Sequence, residues 1–189
     1  MPGVLSSVSA ASRPPDLTPQ DWLEAGQTLL RRGGLRALKL RPLADELGVS
    51  TGSFYHHFTD FDTYQGDLAG YWAQGQVHEL LDAITRAEPE PVDRIRRLAQ
   101  VVRRRRLSRL SIAMRAWADS DPRAAQAVQR HDAIMLGFLT DCVAANGVAR
   151  DRAGVRAYAL MTLGLAKVHA PHLSPPELME ELIGLLTAP

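Results

Sequence analysis

The residues best suited to chemistry lie together in the run Gly48-Val49-Ser50-Thr51-Gly52-Ser53-Phe54-Tyr55-His56-His57-Phe58. On a helix at ~100° per residue, Phe54 and Phe58 fall about 40° apart and point inward. Gly52, Ser53, Tyr55 and His56 then point away. That outward face is small or hydrogen-bonding. Gly52 and Ser53 let the backbone come close to another polymer. Tyr55 and His56 can donate to phosphate oxygens or base edges. The helix N-terminus itself favours a phosphate. This is the chemistry of a helix laid in the major groove of DNA; the plainer alternative is a tight helix pair with no such role.

The preceding residues are those needed to hold such a helix. Leu40, Leu43, Ala44 and Leu47 give a first helix one apolar face, and Ala44 is small where two helices must cross. Gly48 can take the positive φ of a sharp turn. Val49 fills the space beneath the turn, and the Ser50 hydroxyl is placed to cap the second helix. The spacing predicts helices over 40–47 and 51–58. The charge agrees: from 31 to 59 the bases are Arg31, Arg32, Arg36, Lys39 and Arg41, the acids Asp45 and Glu46, a local +3 on a chain whose total is +1.

Other candidates are less pointed. Arg94, Arg96, Arg97, Arg103, Arg104, Arg105, Arg106 and Arg109 form a run with no acid between its ends. It reads as a solvated helix face, an anion or acidic-partner surface, or a second DNA contact. Leu110, Met114, Trp117, Ile134, Met135 and Phe138 are candidate linings of an apolar cavity, with Arg115 and His131 as its polar anchors; plain core is the alternative for each. His169 and His172 have metal-like spacing, but Pro171 breaks the helix that would align them, and no third ligand lies near, so no metal site is expected. Cys142 reads as a buried structural thiol. No Gly-rich phosphate loop, Ser-His-Asp ordering or paired-carboxylate motif occurs, so neither catalysis nor a cofactor is expected.

The chain around these residues is helical by pattern. Thr18, Pro19 and Asp21 start a helix whose face carries Trp22, Ala25, Leu29 and Leu30, and Gly33-Gly34 ends it. Further helices are expected from Asp62 to Arg86, from Pro91 to about Arg103, over Leu107–Ala118, from Asp121-Pro122 to Asn146-Gly147, over 151–168, and after a capping box at Ser174-Pro175-Pro176-Glu177. That makes nine helices and no sheet. Val155, Tyr158, Leu160, Met161, Leu163, Leu165 and Val168 spread apolar residues around one of the last two helices. Leu178, Met179, Leu182, Ile183, Leu185 and Leu186 do so on the other. Such helices must bury the excess, and Gly164 and Ala166 permit close approach. A two-fold four-helix interface would do it, with Tyr158, Met161, Leu165, Leu178, Leu182 and Leu185 as its candidate residues.

The 189 residues are 46% hydrophobic and 23% charged, ordinary for a globular chain with a real core. No stretch approaches the ~18 apolar residues of a membrane span. The lone cysteine excludes an internal disulfide framework and points to a reducing, cytoplasmic setting. Residues 1–16 carry Arg13 as their single base and no secretory pattern, and read as a mobile arm. A helix-turn-helix domain is expected over 17–62 and a helical ligand-binding and dimerisation domain over 63–189.

The Gly-Val-Ser turn, the short second helix and the aromatic-Tyr-His-His-Phe run resemble the DNA-binding domain of the TetR family of bacterial transcriptional regulators. The resemblance spans roughly residues 18–66, about a quarter of the chain. The helix count and the long fourth helix extend it more loosely. Ala113-Met114-Arg115-Ala116-Trp117 followed by Asp121-Pro122 also resembles a run seen in many members. The resemblance implies a homodimer on a near-palindromic double-stranded operator, released by a small-molecule effector bound in the C-terminal domain. It implies DNA contacts from Thr51, Gly52, Ser53, Tyr55 and His56, with His57 nearer the backbone. Lys39, Arg41, Ser50 and Thr59 complete the candidate interface. Two departures stand out. Where the family usually has a lysine after the recognition helix, this chain has Thr59-Asp60-Phe61-Asp62, with two acids. Lys39 also replaces the usual threonine-like cap before the second helix. Two rival readings remain open: a small-molecule carrier or enzyme whose N-terminal domain has left DNA, and an adaptor using the arginine face.

Overall fold

The computed structural model describes residues 17–165 and 175–189. The expected arm with Arg13, and the positions Ala166, Val168, His169, His172 and Ser174, lie outside the described residues. Among those described, every regular element is helical and there is no strand.

Helix α1 spans Pro19–Gly33. A reciprocal cap starts it: the Asp21 amide donates to Thr18 Oγ1 at 3.4 Å, and the Thr18 amide donates to Asp21 Oδ2 at 2.7 Å. Gly34, at φ 63°, closes it into a 3₁₀ turn over Gly34–Ala37. Helix α2 (Leu40–Leu47) ends at Gly48 with φ 68°, the left-handed value the sharp turn requires. The Val49 amide bonds back to Ala44 O at 3.0 Å, and the Val49 side chain packs against the core beneath.

Helix α3 spans only Thr51–Phe54, shorter than the expected 51–58. Beyond Phe54 the amides of Tyr55, His56 and His57 bond three residues back, at 3.2, 3.3 and 2.9 Å, so the chain tightens into a turn. Phe58 still reaches the Phe54 carbonyl at 3.0 Å, and the two rings stack at 5.2 Å. The inward pair thus survives the change of pitch. Contrary to the expectation, Ser50 does not cap α3 through its hydroxyl, and Lys39 makes no side-chain cap on α2.

Helix α4 (Phe61–Ala87) begins at Asp60, whose Oδ1 accepts the Thr63 amide at 2.7 Å. At ~1.5 Å per residue it is about 40 Å long. The remaining helices are α5 (Pro91–Arg104), α6 (Leu107–Ala118), α7 (Pro122–Ala145), α8 (Arg150–Leu165) and α9 (Pro175–Thr187). No helix among the described residues is long and apolar enough to cross a membrane.

Two apolar cores form around α4. Its first half puts Tyr64, Leu68 and Trp72 among Trp22, Leu30, Leu43 and Phe54 of the helix-turn-helix, joined by Met114 and Trp117 of α6 and Ala124 of α7. Its second half puts Val77, Leu81 and Ile84 among Ile95, Leu98, Leu139, Val143, Ala157 and Ile183. Cys142 belongs to this second core, and burial pushes its thiol up to about 11. Asn146 does more than end α7: its side chain donates to Thr187 O at 2.7 Å and ties down the end of α9.

Candidate nucleic-acid interface and interior cavity

One side of α3 is fixed by packing. Phe54 is buried, with Trp22 edge-on at 5.5 Å and Tyr64 edge-on at 5.5 Å. The Tyr64 hydroxyl donates to Trp22 O at 2.9 Å, and burial raises its pKa above the tyrosine range, so it stays a donor. A rigid side leaves the other side as a fixed platform. Thr51, Gly52, Tyr55, His56 and Thr59 are exposed, and Ser53 is half-buried. Tyr55 is 59% exposed yet held edge-on against Phe54 at 5.4 Å. Ser50, Lys39 and Arg41, also exposed, flank the same region. His57 differs: it is half-buried, and its ring lies 6.1 Å from that of Trp22.

The local charge is distributed unevenly. Arg32 pairs with Glu46 at 2.5 Å, so this base is partly spent within the domain. Arg36, Lys39 and Arg41 make no ion pair among the described residues. The two acids after α3 are structurally occupied. Asp60 caps α4, and the bonds from Thr63 hold its carboxyl below the usual range. Asp62 takes a two-pronged bond from Arg123 of α7, both at 2.9 Å. Arg123 also bonds Asp121 at 2.9 Å, and Asp121 is pushed down to about 2 by these bonds.

The arginine run divides. Arg94 donates to the carbonyls of Glu88 and Pro89 at 2.8 and 2.9 Å, closing the end of α4. Arg96 bridges Asp93 and Glu180, joining α5 to α9. Arg103 to Arg106 are exposed at the α5–α6 corner, where Arg106 has φ 53°.

A cavity of about 510 Å³ opens between α5, α6, α7, α8 and α9. Of the expected ligand residues, Arg115, His131 and Met135 line it. Leu110, Met114 and Trp117 sit instead in the first core, because α6 turns that face toward the helix-turn-helix. Ile134 and Phe138 pack against the second core, away from the lining. Arg115 grips Asp132 with two bonds, at 2.7 and 2.6 Å. His131 stacks flat on Trp72 at 4.3 Å. The sequence reading missed Ser108 and Ser111, which also line the cavity. Their signal was present: Ser108, Ser111 and Arg115 recur at helical spacing as a polar stripe on α6.

The six candidate interface residues split as well. Tyr158 and Leu185 are exposed at 65% and 63%, and Leu178 at 41%. Met161, Leu165 and Leu182 are half-buried, and with Leu178 they line the cavity. Among the described residues no group of His, Cys, Asp and Glu could hold a metal ion.

Residues 23–60 match the family model of bacterial regulatory proteins, tetR family. No curated protein matches the sequence. The fold matches a transcriptional regulator from Rhodococcus sp. Rha1, with TM-score 0.67 at 21% identity over 90% of this chain and 94% of that one. It matches a TetR transcription regulator from Haloarcula marismortui at 0.62 and 20%, over 89% and 94%. It also matches FadR from Bacillus subtilis in complex with stearoyl-CoA, at 0.57 and 14%, over 89% and 97%. The chain therefore has the fold of TetR-family transcriptional regulators, with the family's segment at its helix-turn-helix.

Proposed function

We propose that this chain, with its TetR-type fold and helix-turn-helix, is a dimeric DNA-binding repressor released by a small-molecule effector. The observation that carries the reading is the face of α3. Gly52 of α3 and Tyr55 and His56 of the turn that follows are exposed, with Ser53 half-buried beside them, on a segment whose other side is locked by Phe54, Trp22 and Tyr64. A face of that composition has little to do in the fold itself, and it suits contact with base edges and phosphates. Thr51, Ser50, Lys39, Arg41 and Thr59 complete the contact, with His57 beside the DNA backbone. Two copies joined through α8 and α9 would set two such helices on half-sites about one helical turn (~34 Å) apart. The cavity between α5 and α9 is the effector site. A ligand there acts only through its differential affinity for the DNA-competent and released arrangements. In the B. subtilis FadR structure the same fold holds stearoyl-CoA, so a small-molecule ligand is compatible with this architecture. The protein works by binding, not catalysis, and in the cytoplasm, where its DNA is.

Selection of genomic fragments on the purified protein tests this at near-physiological salt. The expected result is an enriched near-palindrome. Tyr55→Ala and His56→Ala should each weaken binding by about tenfold or more; both should stay folded, with Tyr55→Ala melting slightly lower because it gives up the edge contact with Phe54. Equal enrichment by both variants would sink the groove model. Failure of the folded dimer to enrich any sequence would favour a domain that no longer reads DNA.

A further inference from the structure

We infer that the effector is an amphipathic acid: a hydrocarbon body with an anionic, acceptor-only head. The inference rests on reading the cavity as the effector site. Its walls come from α5, α8 and α9, with Ile95, Leu98, Leu160 and Ile183 on the apolar side. Among the described residues its polar groups are Arg103, Ser108, Ser111, Arg115 and His131, and no carboxylate lines it. Every one of those groups can donate a hydrogen bond, and two are permanent cations. Ser111 is only 6% exposed, and its hydroxyl has no partner among the described residues. The Nε of Arg115 is likewise buried without a partner. A buried polar group left unpaired costs on the order of 1–3 kcal/mol; the Ser111 hydroxyl could donate or accept, but the Arg115 Nε–H can only donate, so it needs an acceptor.

The acid nearby does not alter that direction. Asp132 does not line the cavity, and both its oxygens are taken by Arg115. It is not available to a cationic ligand. His131 is held by its stacking on Trp72, with Nδ1 3.5 Å from Asp132 Oδ1, too long for a good bond. The ligand's head therefore lies at the end of the cavity lined by Ser111, Arg115 and His131. Its body lies along the apolar wall of α5, α8 and α9. A purely apolar ligand would leave the donors as orphaned as they are now. An ammonium head would bring a further positive charge beside Arg103 and Arg115 and offer the Arg115 Nε–H no acceptor.

Calorimetric titration of the full-length protein with three ten-carbon probes tests this: decanoate, decanol and decylammonium. Decanoate should bind saturably, and at least about tenfold more tightly than decylammonium, with decanol between. Ser111→Ala removes one hydroxyl and should weaken decanoate about fivefold or more while leaving decylammonium unchanged. Met135→Trp, which fills the cavity from α7, should abolish decanoate binding; melting checks that both variants fold. Decylammonium binding as tightly as decanoate would overturn the inference. So would no saturable decanoate binding by the folded protein, or indifference to Ser111→Ala. Failure of the two readings stays separable. A protein that binds decanoate but selects no DNA sinks the regulator and leaves the cavity chemistry standing. One that selects DNA but rejects decanoate sinks this inference alone.

Discussion

Gly26 shows how tightly single residues hold the reading helix. A Cβ there would sit 2.0 Å from Tyr64 Oη and 3.0 Å from Leu68 Cδ2. Tyr64 cannot yield easily, since it is fully buried and bonded to the Trp22 carbonyl. Alanine normally favours a helix over glycine by about 0.5–1 kcal/mol, but here the overlap should win. Gly26→Ala is expected to destabilise by about 1–3 kcal/mol in denaturant titration. Tyr64→Phe removes the clashing oxygen, so the double variant should cost less than the sum of the two singles. Simple additivity would mean the pair does not meet as described. Some of this scale was legible in the sequence. Gly48, the Thr18–Asp21 cap and the inward Phe54–Phe58 pair follow from local rules. Gly26 did not, because its constraint comes from a tyrosine 38 positions on in the chain. Asp62 was equally opaque: it reads as a charge opposing DNA until Arg123, 61 residues away, is seen to grip it.

At the scale of elements, α4 is the part that joins the two cores, and its first turn carries both acids. They do different work. Asp60 caps the helix, whereas the Asp62–Arg123 bridge is largely solvent-exposed. Exposed bridges contribute little, while a missing N-cap leaves a helix amide without a partner. Asp60→Ala should therefore lower Tm by a few degrees and Asp62→Ala by about one degree or less. The reverse order would mean the bridge, not the cap, sets the start of α4. Asp121, cap of α7, gives this junction a pH dependence. Hydrogen bonds from Arg123 depress its folded pKa to about 2 from an ordinary 3.8. A depressed carboxylate contributes stability that is fully present above its unfolded value. That stability is lost as the pH falls from about 4 toward 2. Asp121→Asn should flatten that part of the acid-stability curve and lower the neutral-pH plateau, because the carboxylate's contribution is lost there as well. The helix boundaries were largely readable, because caps and prolines mark them. The short α3 was not, because nothing in Tyr55-His56-His57 announces a switch to bonds three residues back.

At the scale of the whole molecule, the chain leaves apolar surface that its own packing does not use. On α8, Val155 is 71% exposed and Tyr158 65%; on α9, Leu178 is 41% exposed and Leu185 63%. Val155 and Tyr158 are three apart and share one face of α8, and Leu178 and Leu185, seven apart, share one face of α9. Val155, Tyr158 and Leu185 turn away from the second core, which takes Ala157, Leu160 and Ile183 from the other side of the same helices, while Leu178 sits at the edge of the cavity. The excess apolar character was visible in the sequence, but which residues face inward was not. Met161, Leu165, Leu178 and Leu182, expected at an interface, line the cavity. A protomer with such a surface should associate, and a two-fold arrangement would cover both stripes at once. Tyr158→Asp and Leu185→Glu place charges where the single chain pays no burial cost. Each should leave the protomer folded, with unchanged helical signal, and shift it toward monomer in sedimentation equilibrium at micromolar concentration. Together they should abolish the dimer, and operator affinity should fall steeply, because one head alone reads only one half-site. A double variant that still sediments as a dimer would move the interface off α8 and α9, and the spacing of the two reading helices would have to be set by another surface.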